Sequence, residues 1–319
     1  MNETQPFPRL PLADTGLTIG PLGLGAWSWG DRFFWGYQQG YGEAEVRGAF
    51  ATAIESGIDF FDTAESYGRG RSEQLLGGFI GAASRPVVIA SKCFPYPYRL
   101  SSRSLSRALA ASQKRLGMAQ IDLYQMHWPF PPVSIEAWMN AMADAVEAGQ
   151  VKAVGVSNYS LEQTQRAAAA LARRGLRLAS NQVSFSLLQR QPERSGLLDY
   201  CRANGILVIA YSPLAMGMLT GKYSPSTPPS GVRRAMYRRH TLTRIQSLIG
   251  LMRAIGDAHA GKTPAEVALN WVMCKGAVPI AGAKTAAQVR DNAGALGWRL
   301  SEDEVAALDE QSLRLHTGR

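Results

Sequence analysis

Four polar side chains, Asp62, Tyr67, Lys92 and His127, carry the groups needed to deliver a proton to an oxygen. An ordinary tyrosine has a pKa near ~10 and donates poorly around neutral pH. A lysine cation beside it favours the phenolate and so lowers that pKa. Asp62 would pair with Lys92, keeping it charged and aimed. A tyrosine tuned in this way is a good general acid for an alkoxide as it forms, and His127 would hydrogen-bond the carbonyl oxygen. That is equipment for reducing a C=O group with a hydride and a proton. Taken singly, these residues also have ordinary readings as a helix cap, a surface charge, a packing ring and a hydrogen-bonded strand end. The chemistry requires that the fold gather them.

The surrounding pattern supplies a way to gather them. Short apolar, β-rich runs recur at Leu22–Ala26, Ile58–Asp62, Val87–Ser91, Asp122–His127, Lys152–Val156, Ala179–Val183, Leu207–Tyr211 and Ala277–Ala281. Amphipathic helical patterns lie between them, at Glu43–Ser56, Ser72–Ile80, Ser104–Leu116, Ser134–Ala148, Leu161–Leu171 and Glu193–Ala203. Further helical patterns follow Thr241, Thr263 and Thr285, and a last one covers Ser301–Leu313. Buried strands alternating with helices imply a parallel sheet. Eight such units favour an α/β (β/α)8 barrel, a TIM barrel, over the open doubly wound alternative. In that barrel Asp62, Lys92 and His127 stand at the mouths of consecutive strands, about 4.8 Å apart. Residues 6–20 read as an N-terminal β-hairpin plugging the barrel bottom. Residues 212–241 form a long Pro/Gly/Arg-rich connection after strand seven, of the kind often used as a lid. No linker divides the chain, so residues 1–319 are expected to form one domain.

Composition narrows the function classes. A hydrophobic share of 46% and a charged share of 18% suit a globular protein with a sizeable core. No apolar run reaches the ~18 residues of a membrane span. The start, Met1-Asn2-Glu3-Thr4-Gln5-Pro6, lacks the basic and apolar regions of a signal peptide. The three cysteines are far apart and read as reduced thiols. A cytoplasmic protein is expected. The net charge of +9 suits an anionic partner; its densest cluster, Arg233-Arg234 with Arg238-Arg239, also reads as a solvated loop. No zinc-finger or RNP-like pattern accompanies it, so a small phosphate-bearing ligand is favoured over nucleic acid. Gly256–Thr263 spells a phosphate-binding loop, but a helical pattern precedes it where a strand is needed, and Thr263-Pro264-Ala265-Glu266 reads as a helix capping box. G-x-G-x-x-G and G-x-S-x-G are absent, and four scattered histidines give no metal spacing, so no metal site is expected.

The stretches around these residues resemble the aldo-keto reductase family. They are Gly57-Ile58-Asp59-Phe60-Phe61-Asp62-Thr63-Ala64-Glu65-Ser66-Tyr67-Gly68, Ser91-Lys92, Leu123-Tyr124-Gln125-Met126-His127-Trp128-Pro129, Gly155-Val156-Ser157-Asn158-Tyr159, Asn181-Gln182-Val183, Ala210-Tyr211-Ser212-Pro213-Leu214 and Pro279-Ile280-Ala281-Gly282-Ala283-Lys284-Thr285. In style the chain is nearest to bacterial and plastid members. The resemblance implies a (β/α)8 barrel, a tetrad of Asp62, Tyr67, Lys92 and His127, and a nicotinamide cofactor held without a Rossmann fold. It implies that Ser157, Asn158 and Gln182 hold the carboxamide, that Tyr211 stacks on the nicotinamide ring, and that Ser212 and Leu214 cover the pyrophosphate. Gly282, Lys284, Thr285, Gln288 and Asn292 would take the adenosine end. Lys284 would meet a 2′-phosphate; Gln288 stands where many members carry arginine. NADP(H) is the expected cofactor, with NAD(H) the alternative. The pocket is expected to be aromatic: Trp27, Trp29, Phe33, Phe34 and Trp35 after strand one, Phe94 and Tyr96 after strand three, and Trp128. It suits apolar or ring-bearing small-molecule carbonyls, with no nucleic-acid or membrane partner; the oligomeric state is open. Some barrels of this family act instead as redox-sensing subunits with little turnover, and that is the second reading.

Overall fold

The computed structural model describes residues 7–229 and 239–317. Eight parallel strands close into a barrel: β3 (Gly23–Gly25), β4 (Phe60–Asp62), β5 (Val88–Cys93), β6 (Ile121–Met126), β7 (Val151–Ser157), β8 (Leu178–Ser184), β9 (Leu207–Tyr211) and β10 (Ala277–Gly282). The barrel runs in sequence order, and β10 pairs with both β3 and β9. Each strand matches an expected run to within a few residues. The barrel is a TIM barrel, and the open doubly wound sheet is excluded.

Two apolar layers explain the closure. Strand residues alternate in direction. One set, including Phe61, Ile89, Tyr124 and Val154, packs outward against the helices. The other, Phe60, Val88, Ala90, Leu123, Ala153, Ile209, Val278 and Ile280, fills the barrel interior. Leu12 and Ile19 join this interior cluster from an antiparallel pair, β1 (Leu10–Pro11) with β2 (Thr18–Ile19). The expected hairpin therefore does stopper the barrel bottom. Asp59 anchors it, taking an ion pair from Arg9 at 2.6 Å and the Gly20 N–H at 3.1 Å.

The alternation also sets the site. Two residues beyond the interior apolar positions Phe60, Ala90, Leu123 and Ile209 stand Asp62, Lys92, Gln125 and Tyr211. These polar groups therefore form the next interior layer, at the C-terminal mouth. Gly155 makes room for it. A Cβ there would lie 2.4 Å from Ser180 Oγ and 2.8 Å from Gln125 Cγ.

The helices follow the expected patterns with one difference. Glu193–Ala203 is two short helices, Gln191–Arg194 and Leu197–Ala203, because Gly196 between them takes the left-handed conformation at φ 75°. The phosphate-loop spelling is structural. Gly256 lies inside the helix Arg239–Ala258, and Thr263 caps the helix Pro264–Cys274 in a reciprocal capping box with Glu266. In the 212–241 connection, a 3-10 turn covers Ala215–Thr220. Arg233, Arg234 and Arg238 lie outside the described residues, whereas Arg239 opens a helix. Among the described residues, no helix is long and apolar enough to cross a membrane.

Replacing Gly155 by alanine should overpack the interior and cost about 1–3 kcal/mol. The matched control is Gly78→Ala, on an exposed helix face with nothing near its added Cβ. That change should stabilise by roughly 0.5–1 kcal/mol. Urea unfolding of both variants checks the contrast.

Candidate active site

Asp62 ends β4, Lys92 lies near the end of β5, and His127 follows β6. Tyr67 opens a 3-10 turn on the loop after β4. The four converge. The Lys92 ammonium donates to Asp62 Oδ2 at 2.6 Å, to the Thr63 carbonyl at 2.9 Å and to the Tyr67 phenol oxygen at 3.3 Å. All three of its protons are thus occupied. Because the phenol oxygen accepts from Lys92, its own proton remains available to a ligand. Tyr67 and His127 meet edge to face, with ring centroids 5.8 Å apart.

Electrostatics corrects one expectation. Burial is the dominant influence on Tyr67 and pushes its pKa up; Lys92 pulls it down, Asp62 pushes it up, and the net direction is above the ordinary tyrosine value. The lysine moderates the rise without reversing it. A phenol that keeps its proton still serves as an acid. Burial works against the Lys92 cation, but Asp62 and Tyr67 outweigh it and hold the ammonium above its ordinary pKa. Burial, with the Lys92 charge in second place, takes His127 well below the usual histidine range. Its imidazole is therefore neutral and has one N–H to donate. His127 Nδ1 is buried and has no hydrogen-bond partner.

Asp62 is held from its other side by two amides. Gln182 Nε2 donates to Oδ1 at 2.7 Å and Gln125 Nε2 at 3.3 Å. Gln182, expected at the carboxamide, is in this structure a support for Asp62. Gln125 was not singled out from the sequence, although its place two residues before His127 on an alternating strand marks it as inward.

Ser157, Asn158 and Tyr211 lie together on the next strand ends. Ser157 Oγ donates to the Gln182 carbonyl at 3.0 Å, and Asn158 Nδ2 donates to the His127 carbonyl at 3.0 Å. The Tyr211 hydroxyl donates to Asn158 Oδ1 at 2.9 Å. Asn158 and Ser212 both have positive φ, 64° and 51°, a concentration of backbone strain that often accompanies a ligand site. Leu214 is half-buried against the core and begins the turn Ala215–Thr220.

The residues expected at the adenosine end gather around one helix start. Gly282 is exposed, and Thr285 caps the helix Ala286–Ala293, accepting the Gln288 N–H. Gln288 Oε1 accepts the Lys284 backbone N–H at 2.7 Å, and Asn292 is buried on the same helix. A basic residue ahead of a capped helix start suits a phosphate. The Lys284 ammonium donates to the Trp35 carbonyl at 2.7 Å and lies 4.3 Å from the Tyr41 ring centroid. Together these residues fit an elongated dinucleotide, with amides and a half-exposed ring at one end and a cation with a helix start at the other.

The aromatic residues expected at the pocket divide between the barrel mouth, the core and the surface. Trp27 stacks on Phe34 at 5.2 Å, meets Trp35 edge-on at 5.5 Å and lies 6.1 Å from Tyr67, so it stands beside the tetrad. Phe94 meets His127 edge-on at 5.4 Å, and Trp128 stacks on Phe130. Trp29 is instead a core residue. It is fully buried against Phe79, and its indole N–H donates to the Ala283 carbonyl at 2.8 Å. Phe33, also expected in the pocket, is 93% exposed and is not packed into a wall. Cys93 is buried packing, its thiol pushed up to about 12 chiefly by burial.

The aldo/keto reductase family model matches residues 21–312. The chain is similar to the chloroplastic pyridoxal reductase of Arabidopsis thaliana, 41% identical over 92% of this chain and 83% of the relative. It is also similar to L-glyceraldehyde 3-phosphate reductase of Escherichia coli O157:H7, 30% identical over 93% of this chain and 90% of that one. Among solved structures, an aldo-keto reductase from Klebsiella pneumoniae in complex with NADPH superposes with a TM-score of 0.72, at 29% identity over 92% of this chain and 91% of that one. The barrel, the polar layer at its mouth and these matches have one conclusion: the chain belongs to the aldo/keto reductase family and is an oxidoreductase.

Proposed function

We propose that the protein reduces aldehydes or ketones to alcohols with NADPH, with Tyr67 as the general acid. The observation that carries this reading is the Lys92 ammonium, shared between Asp62 and the Tyr67 oxygen in a water-poor layer. When bound, the cofactor supplies a hydride from the nicotinamide C4. Tyr67 gives its proton to the substrate oxygen as negative charge develops there. The adjacent Lys92 cation stabilises the phenolate left behind. His127, neutral, donates its N–H to the same oxygen and sets the carbonyl's orientation. Asp62, braced by Gln125 and Gln182, holds the ammonium in place.

Ser157, Asn158 and Gln182 would hold the carboxamide, Tyr211 the nicotinamide face, Ser212 and Leu214 the pyrophosphate, and Gly282 through Asn292 the adenosine. The aromatic walls favour ring-bearing aldehydes. The name of the Arabidopsis relative supports a heteroaromatic aldehyde of the pyridoxal kind.

Three outcomes are expected. Tyr67→Phe should lower kcat roughly 10²–10⁴-fold with NADPH binding retained, as read by fluorescence titration. Full activity would defeat the mechanism. Reduction requires protonated Tyr67 and neutral His127, whose pKa values move above ~10 and below ~6.5 respectively. The kcat profile should therefore stay level through neutral pH and fall only on the alkaline side; an inflection near 7 would assign the histidine wrongly. Lys284→Met should raise KM for NADPH about tenfold or more, leaving KM for NADH within about twofold.

A further inference from the structure

Glu65 and Arg99 form an ion pair that the mechanism above leaves without a role. Glu65 lies between Asp62 and Tyr67 on the loop after β4, and Arg99 lies on the loop after β5. Their side chains are only 8% and 11% exposed. The guanidinium engages both carboxylate oxygens, with Nη2 donating to Oε2 at 2.9 Å and Nη1 to Oε1. Nη1 also donates to the Phe94 carbonyl at 2.6 Å. Glu65 Oε1 in turn accepts the Phe94 N–H at 2.6 Å. The two members of the pair thus grip the backbone of Phe94 from both of its polar groups.

That grip replaces regular structure. Between β5 and the helix Ser104–Leu116 there is neither helix nor strand. The Phe94 ring nonetheless reaches His127, and Tyr96 packs on Phe94 at 4.7 Å with the Arg99 guanidinium 5.2 Å above its own ring. A buried ion pair gains little net stability, because desolvation offsets most of its Coulomb attraction. Its place beside the reacting residues points to a positional purpose.

We propose that Glu65 and Arg99 are positioning residues that set the Phe94 wall of the substrate pocket and thereby determine affinity for ring-bearing carbonyls. The inference rests on the carbonyl-reductase reading. Neither residue handles the proton, and neither belongs to the groups assigned to the cofactor. A small aliphatic aldehyde, which needs only Tyr67 and His127, gains nothing from the wall.

The test compares benzaldehyde with propionaldehyde, each with NADPH, for the wild-type protein, Arg99→Gln and the double variant Glu65→Gln with Arg99→Gln. The double variant avoids a lone buried carboxylate. KM for benzaldehyde should rise about fivefold to tenfold, the scale of a lost aromatic contact. Its kcat, both constants for propionaldehyde, and NADPH affinity by fluorescence should change less than about twofold. Arg99→Lys keeps the charge but not the planar fork, and should resemble Arg99→Gln. Should the pair variants fail to fold, as read by circular dichroism, Phe94→Leu in the intact protein should raise KM for benzaldehyde severalfold more than KM for propionaldehyde. Equal losses on both aldehydes, or no loss on benzaldehyde, would overturn the proposal. Absence of wild-type turnover on both would overturn the carbonyl-reductase reading instead.

Discussion

A fully buried ammonium is the constraint around which the barrel mouth is arranged. Lys92 has no exposed surface, so its charge must be met entirely by protein groups. Asp62, the Thr63 carbonyl and the Tyr67 oxygen meet it. Asp62 is then a buried carboxylate with lone pairs to satisfy, and Gln182 and Gln125 satisfy them. Gln125 can lie across the barrel only because Gly155 has no side chain. One cation thereby dictates residue types on β4, β5, β6, β7 and β8.

Much of this arrangement is legible in the residues alone. The eight apolar runs declare the strands, and the strand ends declare Asp62, Lys92 and His127. Alternation adds Gln125 as an inward residue. What the linear order conceals is chiefly the balance of opposing effects. Lys92 beside Tyr67 suggests a lowered phenol pKa, yet burial wins and the phenol moves the other way. How deep a ring sits depends on neighbours far along the chain, and this is why the position of Tyr67 in the sequence does not reveal the sign.

The aromatic residues after β3 illustrate a second gap. Trp27, Trp29 and Trp35 look alike as a cluster in the sequence. The chain reverses tightly here, with the Trp29 N–H bonded to the Ala26 carbonyl. That turn sends the Trp29 indole into the core toward Ala283 and leaves Trp27 at the mouth. Turn geometry of this kind carries no periodicity. Gly196 is a similar case: a single left-handed residue divides what reads as one helix into two. Pairs distant in sequence, such as Glu65 with Arg99, have no local pattern at all and become visible only once two loops are seen side by side.

The segment from Trp27 to Tyr41 has a double attachment. Its Trp27 ring borders Tyr67, while Trp29 and Trp35 are fastened to Ala283 and Lys284 just ahead of the helix Ala286–Ala293. On the proposed reading of Lys284 and of the aromatic walls, directed evolution of this stretch for new substrates would therefore disturb coenzyme choice as well. The two traits are inherited through one piece of backbone, and selection on either would be felt by both.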